Sequence, residues 1–554
     1  MKRIRTAAAV LAAAALALTA CTGDPNDVGD GGEAGGGTVD MQIGEVPTLV
    51  VSDCDDSECY RILKNVYDGL VYYDNETGEP VNLVAEEITT TDNQTWTITI
   101  KEGLTFQNGE PVDAESFIRS WNHTAYGPNV AGLNYFFGRF QGYDEMNPAP
   151  LPEDQWADPE TPEFPEPAAD TLSGLTAVDD LTIEVKLVEQ FSGFATMLGY
   201  AAFLPMAEEC LADLEACMWN PIGNGPFMLE EPYVVESGGT AVRWEDYAGD
   251  MPAEIDSVVW HPYIGETDCW NDFKTGDIDV CSPRAADFET AMSDPELTER
   301  LITQPGTSFT ALGFPLWMEE WQDVNLRRAF SAAIDREAVL TVIGEGRGVP
   351  ADGFIPETIL GGGTGACEYC SYDPELANDL LEQAGGWPEG EVFQLWYNET
   401  ADNQTLYRAV GDSIKETLGI EYELVPLDWP EFLTARDEHT VEGPFRYQWG
   451  PDYNLNENFL TPVYGGGEAM NVFGYASPEF DAAILAADQA ATLDEAIPLY
   501  AEAEAIIAEA MPAAPIIYSA DNVFYSEDVD NIVLNAIYLG PGGDCELREV
   551  TVVQ

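Results

Sequence analysis

The stretch VYDGLVYYDNETGEPVNLVAEEITTTDNQTWTITIKEGLTFQNGEPVDAESFIRSW, Val66–Trp121, sets the fold class, because strand, turn and helix grammar all fall inside it. In QTWTITIKEGLTFQNGEPV, Trp96, Ile98 and Ile100 alternate with polar residues, the period of two that a half-buried strand requires. The pattern breaks at Glu102-Gly103 and resumes at Leu104 and Phe106, which predicts a hairpin. A further turn is expected at Asn108-Gly109, where glycine accepts a positive φ. DAESFIRSWNHTAYG then predicts a helix, with Asp113 as its cap.

The segments on either side keep this mixture. Upstream, PTLVV reads as a short strand, SDCDDSEC as a loop and YRILKNVYDGLVYYD as a helix. DNETGEP, Asp74–Pro80, lacks the ligand spacing of a calcium loop and reads as a turn. Residues 147–170 are rich in proline and acids and predict a long surface excursion, followed by strands in TLSGLTAV and LTIEVKLVE. Downstream, NLRRAFSAAIDREAVLTVIGEG reads as two helices with Asp335 restarting the second. DPELANDLLEQAGG has Asp373 as cap, Pro374 in the first turn and Gly385 as stop, and SPEFDAAILAADQA repeats that grammar from Ser477 and Pro478. The helix IPLYAEAEAIIAEA leads into an apolar strand at MPAAPIIYS, and VDNIVLNAIYLG is again strand-like. The fold class is α/β.

At 554 residues the chain is too long for one core. Its 100 acidic against 22 basic residues give a net charge of −78, spread along the chain. Such a surface repels nucleic acid and anionic membranes; it reads as a solvated coat, with steering of cationic solutes as the alternative. MKRIR followed by AAAVLAAAALAL has the layout of an export signal, and that apolar run is too short to span a bilayer. It ends in Leu18-Thr19-Ala20-Cys21, which resembles a bacterial lipobox, so residues 1–20 are expected to be removed and Cys21 to carry the lipid. Residues 21–40, rich in Gly and Asp, read as a flexible tether, and no later run is apolar enough for a transmembrane helix. Eight of the remaining cysteines fall into close pairs: Cys54 and Cys59, Cys210 and Cys217, Cys269 and Cys281, Cys367 and Cys370. Short-range disulfides in an oxidising compartment are expected of such spacing. Cys545 is left over.

The sequence has no GxSxG elbow, HExxH, SxxK or P-loop, and its three histidines are scattered. No catalytic residue, metal site or cofactor is expected. Glycosidase-type carboxylate pairs stay open with so many acids, but nothing marks one pair out.

The opening stretch, with its GLTFQNGEPVDA core, resembles extracytoplasmic solute-binding proteins of the peptide/nickel type, family 5, which serve ABC importers. NPIGNGPFML (220–229), DVNLRRAFSAAIDREAV (323–339), YDPELANDLLEQAG, the PEFD helix start and LYAEAEAIIAEAMPAAPI are similar to further family blocks in family order, from about Leu49 to Val523. The close cysteine pairs and the 147–170 insertion depart from the family pattern.

The resemblance implies a two-lobed periplasmic-binding-protein clamshell with an additional hairpin-rich domain. Lobe I would take 41–65, 175–304 and 519–554, the extra domain 66–174 and lobe II 305–518, with a hinge at Pro305-Gly306 and Tyr518-Ser519. A short peptide would bind between the lobes and pass to the permease subunits of an ABC importer. The protein would be a monomer held to the outer face of the membrane through Cys21, and not an enzyme. In WGPDYNLNENF, Trp449 and Asp452 match the family's W..D element, so Asp452 is the expected partner of the peptide α-ammonium and Trp449 a cleft wall, with Tyr453 beside them. A turn or cap role for Asp452 and core packing for Trp449 are the alternatives, and the Asn run reads as scaffolding. Asp55, Asp56 and Ser57, in the Cys54–Glu58 loop, stand by position where lobe I meets ligand. Arg408, Arg436 and Arg446 are candidates for a peptide carboxylate. The 13 Trp keep an oligosaccharide ligand open, and a tethered hydrolase is the reading from another class.

Overall fold

The computed structural model describes residues 36–553 apart from 76, 153–154, 157–162, 264–268, 283–284, 345, 469 and 536–544. The leader 1–20, Cys21 and most of the 21–40 tether lie outside the described residues, as does part of the 147–170 excursion.

Two strands of 13 residues, Leu301–Gly313 and Ala513–Tyr525, lie antiparallel at the centre of an 11-stranded sheet. Their ladder is continuous from Leu301↔Phe524 to Pro305↔Ala520, breaks, and resumes from Phe309↔Tyr518 to Gly313↔Ala513. On one side of the break the sheet continues through Val280–Cys281, Thr38–Ile43, Ser257–Pro262, Gly239–Arg243 and Phe227–Leu229. On the other it continues through Phe445–Trp449, Val392–Asn398 and Glu421–Leu427, and Gly348–Pro350 pairs with Ala513–Tyr525 as the eleventh strand. Helices cover this second part and start as their sequences predict. Asp335 caps Arg336–Ile343 by accepting from Ala338 N–H at 3.0 Å, Asp373 caps Pro374–Gln383, and Ser477 caps Pro478–Asp488.

A separate four-stranded antiparallel sheet has the order Ala85–Thr90, Thr95–Ile100, Thr182–Lys186, Leu175–Asp179. Residues 175–186, expected with lobe I, thus share their sheet with the 66–174 segment. The expected hairpin with Leu104 and Phe106 is not formed, because Thr95–Ile100 has both edges taken by other strands. The Asn108-Gly109 turn is formed: Phe106 N–H donates to Glu110 O at 2.8 Å and Gly109 has φ 87°. Asp113 makes a capping box with Ser116 at the start of Ala114–Ala125.

Two upstream elements differ from expectation. PTLVV is not a strand: Leu49 and Val51 are buried by packing, and the strand of this region is Thr38–Ile43, paired in parallel with Ser257–Pro262. A short apolar run carries no period that separates these outcomes. The helix beginning at Ser57 ends at Val66, and Val71–Tyr73 pairs with Pro80–Asn82. The backbone turns extended at Tyr67, and Asp68 just beyond it pairs with Arg548 at 2.8 Å. In the DNETGEP turn, Asp74 Oδ1 accepts from Thr77 N–H at 2.8 Å. The apolar MPAAPIIYS run lies in the longer strand Ala513–Tyr525, whereas of VDNIVLNAIYLG only Val529–Asp530 is a strand among the described residues.

The four expected disulfides form. Cys54 bonds to Cys59 with a Cα–Cα separation of 5.7 Å, and Cys210 bonds to Cys217 at 5.4 Å. Cys269 bonds to Cys281 at 5.9 Å, and Cys367 bonds to Cys370 at 5.3 Å. All four separations suit an S–S bridge. The Cys210 to Cys217 bridge joins two short helices, Glu208–Ala212 and Leu214–Cys217, and the Cys367 to Cys370 bridge closes the single turn Glu368–Cys370. Cys545 is buried. No helix of the described residues is long and apolar enough to cross a membrane.

The 66–204 region has its own aromatic centre. The Trp121 ring meets Phe117, Phe137, Phe140 and Phe203 at centroid distances of 5.8–6.4 Å, and its N–H donates to Phe203 O at 3.1 Å. Trp121→Ala is expected to destabilise the protein by about 3–5 kcal/mol in urea unfolding. A loss under about 1 kcal/mol would show that this centre does not hold the region together.

Candidate functional site

Strand Phe445–Trp449 ends at the candidate loop, and the loop's asparagines fix its shape. Trp449 Nε1–H donates to Asn458 O at 3.1 Å. Asn458 then clamps Asp452: its Oδ1 accepts from Asp452 N–H at 2.8 Å and its Nδ2 donates to Asp452 Oδ2 at 3.0 Å. Asn454 accepts from Leu360 N–H at 3.0 Å and donates to Gly78 O at 2.7 Å. Asn456 donates to Gly361 O and Ile497 O, both at 3.1 Å. Gly361, at φ 84°, lets the backbone come this close, since a Cβ there would lie 2.6 Å from the Asn456 amide. The Asn run is scaffolding, and all three amides are buried.

What the scaffold presents is Asp452. The residue is half-buried, and no lysine, arginine or histidine among the described residues pairs with it. Burial pushes its carboxyl up to about 7, against opposing hydrogen bonds from Asn458 and the Tyr200 phenol. Tyr200 stacks on Tyr60 of the helix Ser57–Val66 at 6.3 Å and lies tilted against Phe136 at 4.6 Å. The carboxylate therefore sits against an aromatic wall built by distant parts of the chain. A carboxylate with donors on one side, aromatic faces nearby and no resident cation is equipped to receive an ammonium group.

The other expected residues are placed as follows. Trp449 is half-buried and packs on the core edge while its N–H holds the loop. Tyr453 is 4% exposed, and its hydroxyl is committed to Glu457. Asp56 caps the helix Ser57–Val66, accepting from Glu58 N–H at 2.8 Å and Cys59 N–H at 3.2 Å; Ser57 is the first residue of that helix. Asp55 is exposed beside Gly132. From this helix it is Tyr60 that reaches the Tyr200–Asp452 cluster. Of the arginine candidates, Arg436 pairs with Asp437, Arg408 is exposed, and Arg446 lies 5.7 Å over the Trp429 ring. Tyr60, Phe136 and Tyr200 were not foreseen, because single aromatics carry no local signal of a shared site. Among the described residues no group of His, Cys, Asp and Glu could hold a metal ion.

Beside the loop, Arg139 enters a buried acidic pair. Its guanidinium lies 2.7 Å from Glu457 and 2.8 Å from Asp488, with its face 4.0 Å over Phe191. Tyr453 donates to Glu457, and Tyr500 donates to Asp488 at 2.5 Å. Burial opposes the charge on Arg139, but Asp488 and Glu457 outweigh it and keep the group protonated.

The family model of bacterial extracellular solute-binding proteins, family 5, matches residues 79–471. The chain belongs to this family. Its members are transport binding proteins of the extracellular side, not enzymes. The family 5 chain is 26% identical over 468 residues to the periplasmic murein peptide-binding protein MppA of Escherichia coli, covering 82% of each chain. It is 25% identical over 471 residues to the periplasmic oligopeptide-binding protein OppA of the same organism, covering 83% of this chain and 82% of that one. The solved structure of the E. coli murein tripeptide-binding protein MppA superimposes with a TM-score of 0.75 at 22% identity, over 93% of this chain and 98% of that one. The fold is thus the two-lobed α/β binding-protein fold.

Removing Arg139 leaves two buried carboxylates with no cation. Arg139→Met is expected to cost roughly 3–5 kcal/mol in urea unfolding, with part recovered by adding Glu457→Gln. A cost below about 1 kcal/mol would mark the triad as an ordinary exposed ion pair.

Proposed function

We propose that this protein is the lipid-anchored binding component of an ABC importer, capturing short peptides in a cleft between two lobes and delivering them to the permease. The observation that carries the peptide reading is Asp452, a clamped carboxylate with no cation of its own. The peptide-binding relatives support it. The leader and Cys21 motif support the anchor, and a single copy of the chain contains the whole proposed site.

We place the lobes on either side of the ladder break at Pro305–Phe309, as 41–65, 187–304 and 519–554 against 305–518. The extra domain is extended to 66–186, because Leu175–Asp179 and Thr182–Lys186 complete its sheet. Closure brings Tyr200 of lobe I against Asp452 of lobe II and Arg139 of the extra domain against Glu457 and Asp488. It also excludes water. An ammonium about 4 Å from a carboxylate gains roughly 1 kcal/mol in water but about 4 kcal/mol at the effective dielectric of a protein site. Desolvation of the ammonium offsets part of this, which leaves a preference for a charged amine of the order of 100-fold. Trp449 and Tyr453 flank Asp452 along the chain and shape the loop, while Asp55, Asp56 and Ser57 lie at the mouth on the lobe I side.

Calorimetry with Ala-Ala-Ala and its N-acetyl form tests this. Acetylation is expected to weaken binding about 100-fold, and Asp452→Asn to remove most of that difference. Equal affinity for both forms, or unchanged discrimination in the variant, would contradict the assigned role; tighter binding of oligosaccharides would favour the sugar-binding reading.

The pH dependence follows from the raised carboxyl. Below about pH 7 the free protein carries Asp452 protonated, and an ammonium must expel that proton. Kd should therefore rise as pH falls below 7, by up to about tenfold per unit. Above about pH 8 the peptide α-amine loses its own proton and affinity falls again. Ionised Asp452 is a cost to the unliganded fold, so this group's contribution makes the free protein less stable as pH rises from the ordinary carboxylate value of 3.8 towards 7. Ligand thus stabilises most at the upper end of that window. A flat Kd between pH 5 and 8 would contradict the scheme.

A further inference from the structure

A second carboxylate shares the unusual state of Asp452. Asp521, in the strand Ala513–Tyr525, is 7% exposed, its Oδ2 has no hydrogen-bond partner, and no cation among the described residues pairs with it. Other buried acids of this protein are provided for. Asp68 and Glu546 share Arg548, Glu457 and Asp488 share Arg139, and Glu504 accepts from Phe354 N–H at 2.8 Å. A buried acid without such a partner is costly to hold, and its persistence points to a partner that arrives from outside. Burial alone pushes the Asp521 carboxyl up to about 7.

Its place in the fold connects it to the cleft from two directions. Alternation puts Ser519 and Asp521 on one face of the strand, about 7 Å apart. Ser519 Oγ accepts from Ser308 at 2.9 Å, and Ser308 adjoins the candidate loop, since a Cβ at Gly450 would lie 3.7 Å from Ser308 Cβ. In the ladder Asp521 faces Gln304, whose side-chain amide donates to Asn535 O at 3.4 Å. Asn535 lines, with Tyr60 and Gly199, a cavity behind the Tyr60–Tyr200 stack. Gly450 and Tyr60 belong to the two features that flank Asp452, and Asp521, beside the ladder break, is linked towards the first through Ser519 and towards the second through Gln304.

We propose that Asp521 is a second cation subsite at the floor of the same cleft, taking the basic side chain of a peptide whose α-ammonium sits at Asp452. This rests on the peptide reading above and adds a ligand class to it, peptides containing lysine or arginine. The net charge of −78 favours the approach of such ligands.

The test is calorimetry of the full chain, and of its Asp521→Asn variant, with Ala-Ala-Ala, the three tripeptides carrying one Lys, and the same three carrying acetyl-lysine, which keeps the stem and removes the charge. In the natural protein at least one Lys peptide is expected to bind roughly tenfold tighter than its acetyl-lysine counterpart. Asp521→Asn should erase that advantage while Ala-Ala-Ala stays within about threefold, a readout that a merely structural role would not move. No charge preference in the natural protein, or a preference retained in the variant, would overturn the proposal with the peptide reading intact. Failure of every peptide to bind would overturn both. Should the variant not fold, the comparison on the natural protein alone still decides against the proposal if it shows no preference.

Discussion

The antiparallel pairing of Leu301–Gly313 with Ala513–Tyr525 is the constraint on which the rest of the structure depends. Each strand belongs to both parts of the large sheet, so backbone hydrogen bonds carry the connection between them. The ladder's longer interruption lies between Pro305 and Phe309, where Gly306–Ser308 are left out of the register; a smaller register shift falls between Thr310 and Ala311. Under the proposed closure the longer break serves as the hinge, with the paired strands on either side moving as bodies. Beside the break, buried Ser308 and half-buried Ser519 are hydrogen-bonded to each other at 2.9 Å, next to the loop that carries Asp452.

Two kinds of acid meet at that loop, and their contrast defines the candidate site. Glu457 and Asp488 are neutralised by Arg139 and supported by two tyrosine hydroxyls. Asp452, five residues before Glu457, receives only neutral donors. The charge pairs of Arg139 are therefore separate from the Asp452 carboxylate. Under the proposed function this leaves Asp452 to a ligand cation, while closure is steadied by a pair that does not compete for it.

Much of this was legible in the residues. Helix starts at Asp113, Asp335, Asp373 and Ser477 follow from side chains that satisfy the first N–H groups, a local matter. The close cysteine pairs, such as Cys210 with Cys217 and Cys367 with Cys370, formed because short loops leave few other geometries. The family blocks, above all the Val66–Trp121 stretch, carried the fold and the WGPD element. What failed was non-local. The partner of Thr95–Ile100 is Thr182–Lys186, some eighty residues away, so the expected hairpin had no means of revealing its competitor. PTLVV is buried without a ladder for the same reason. Tyr200, Phe136 and Tyr60 come together through packing of three separated segments, and Arg139 finds its acids more than three hundred residues later. Asp521 reads in sequence as one acid among 100, and only burial distinguishes it.

The central claim is that the cleft holds the free amine of a peptide. Native mass spectrometry of the protein purified under non-denaturing conditions from peptide-rich culture tests it most directly, with sequencing of whatever the denatured protein releases. The account predicts a mixture of short peptides with unblocked N-termini. Release of a sugar, or of ligands without a free amine, would contradict it.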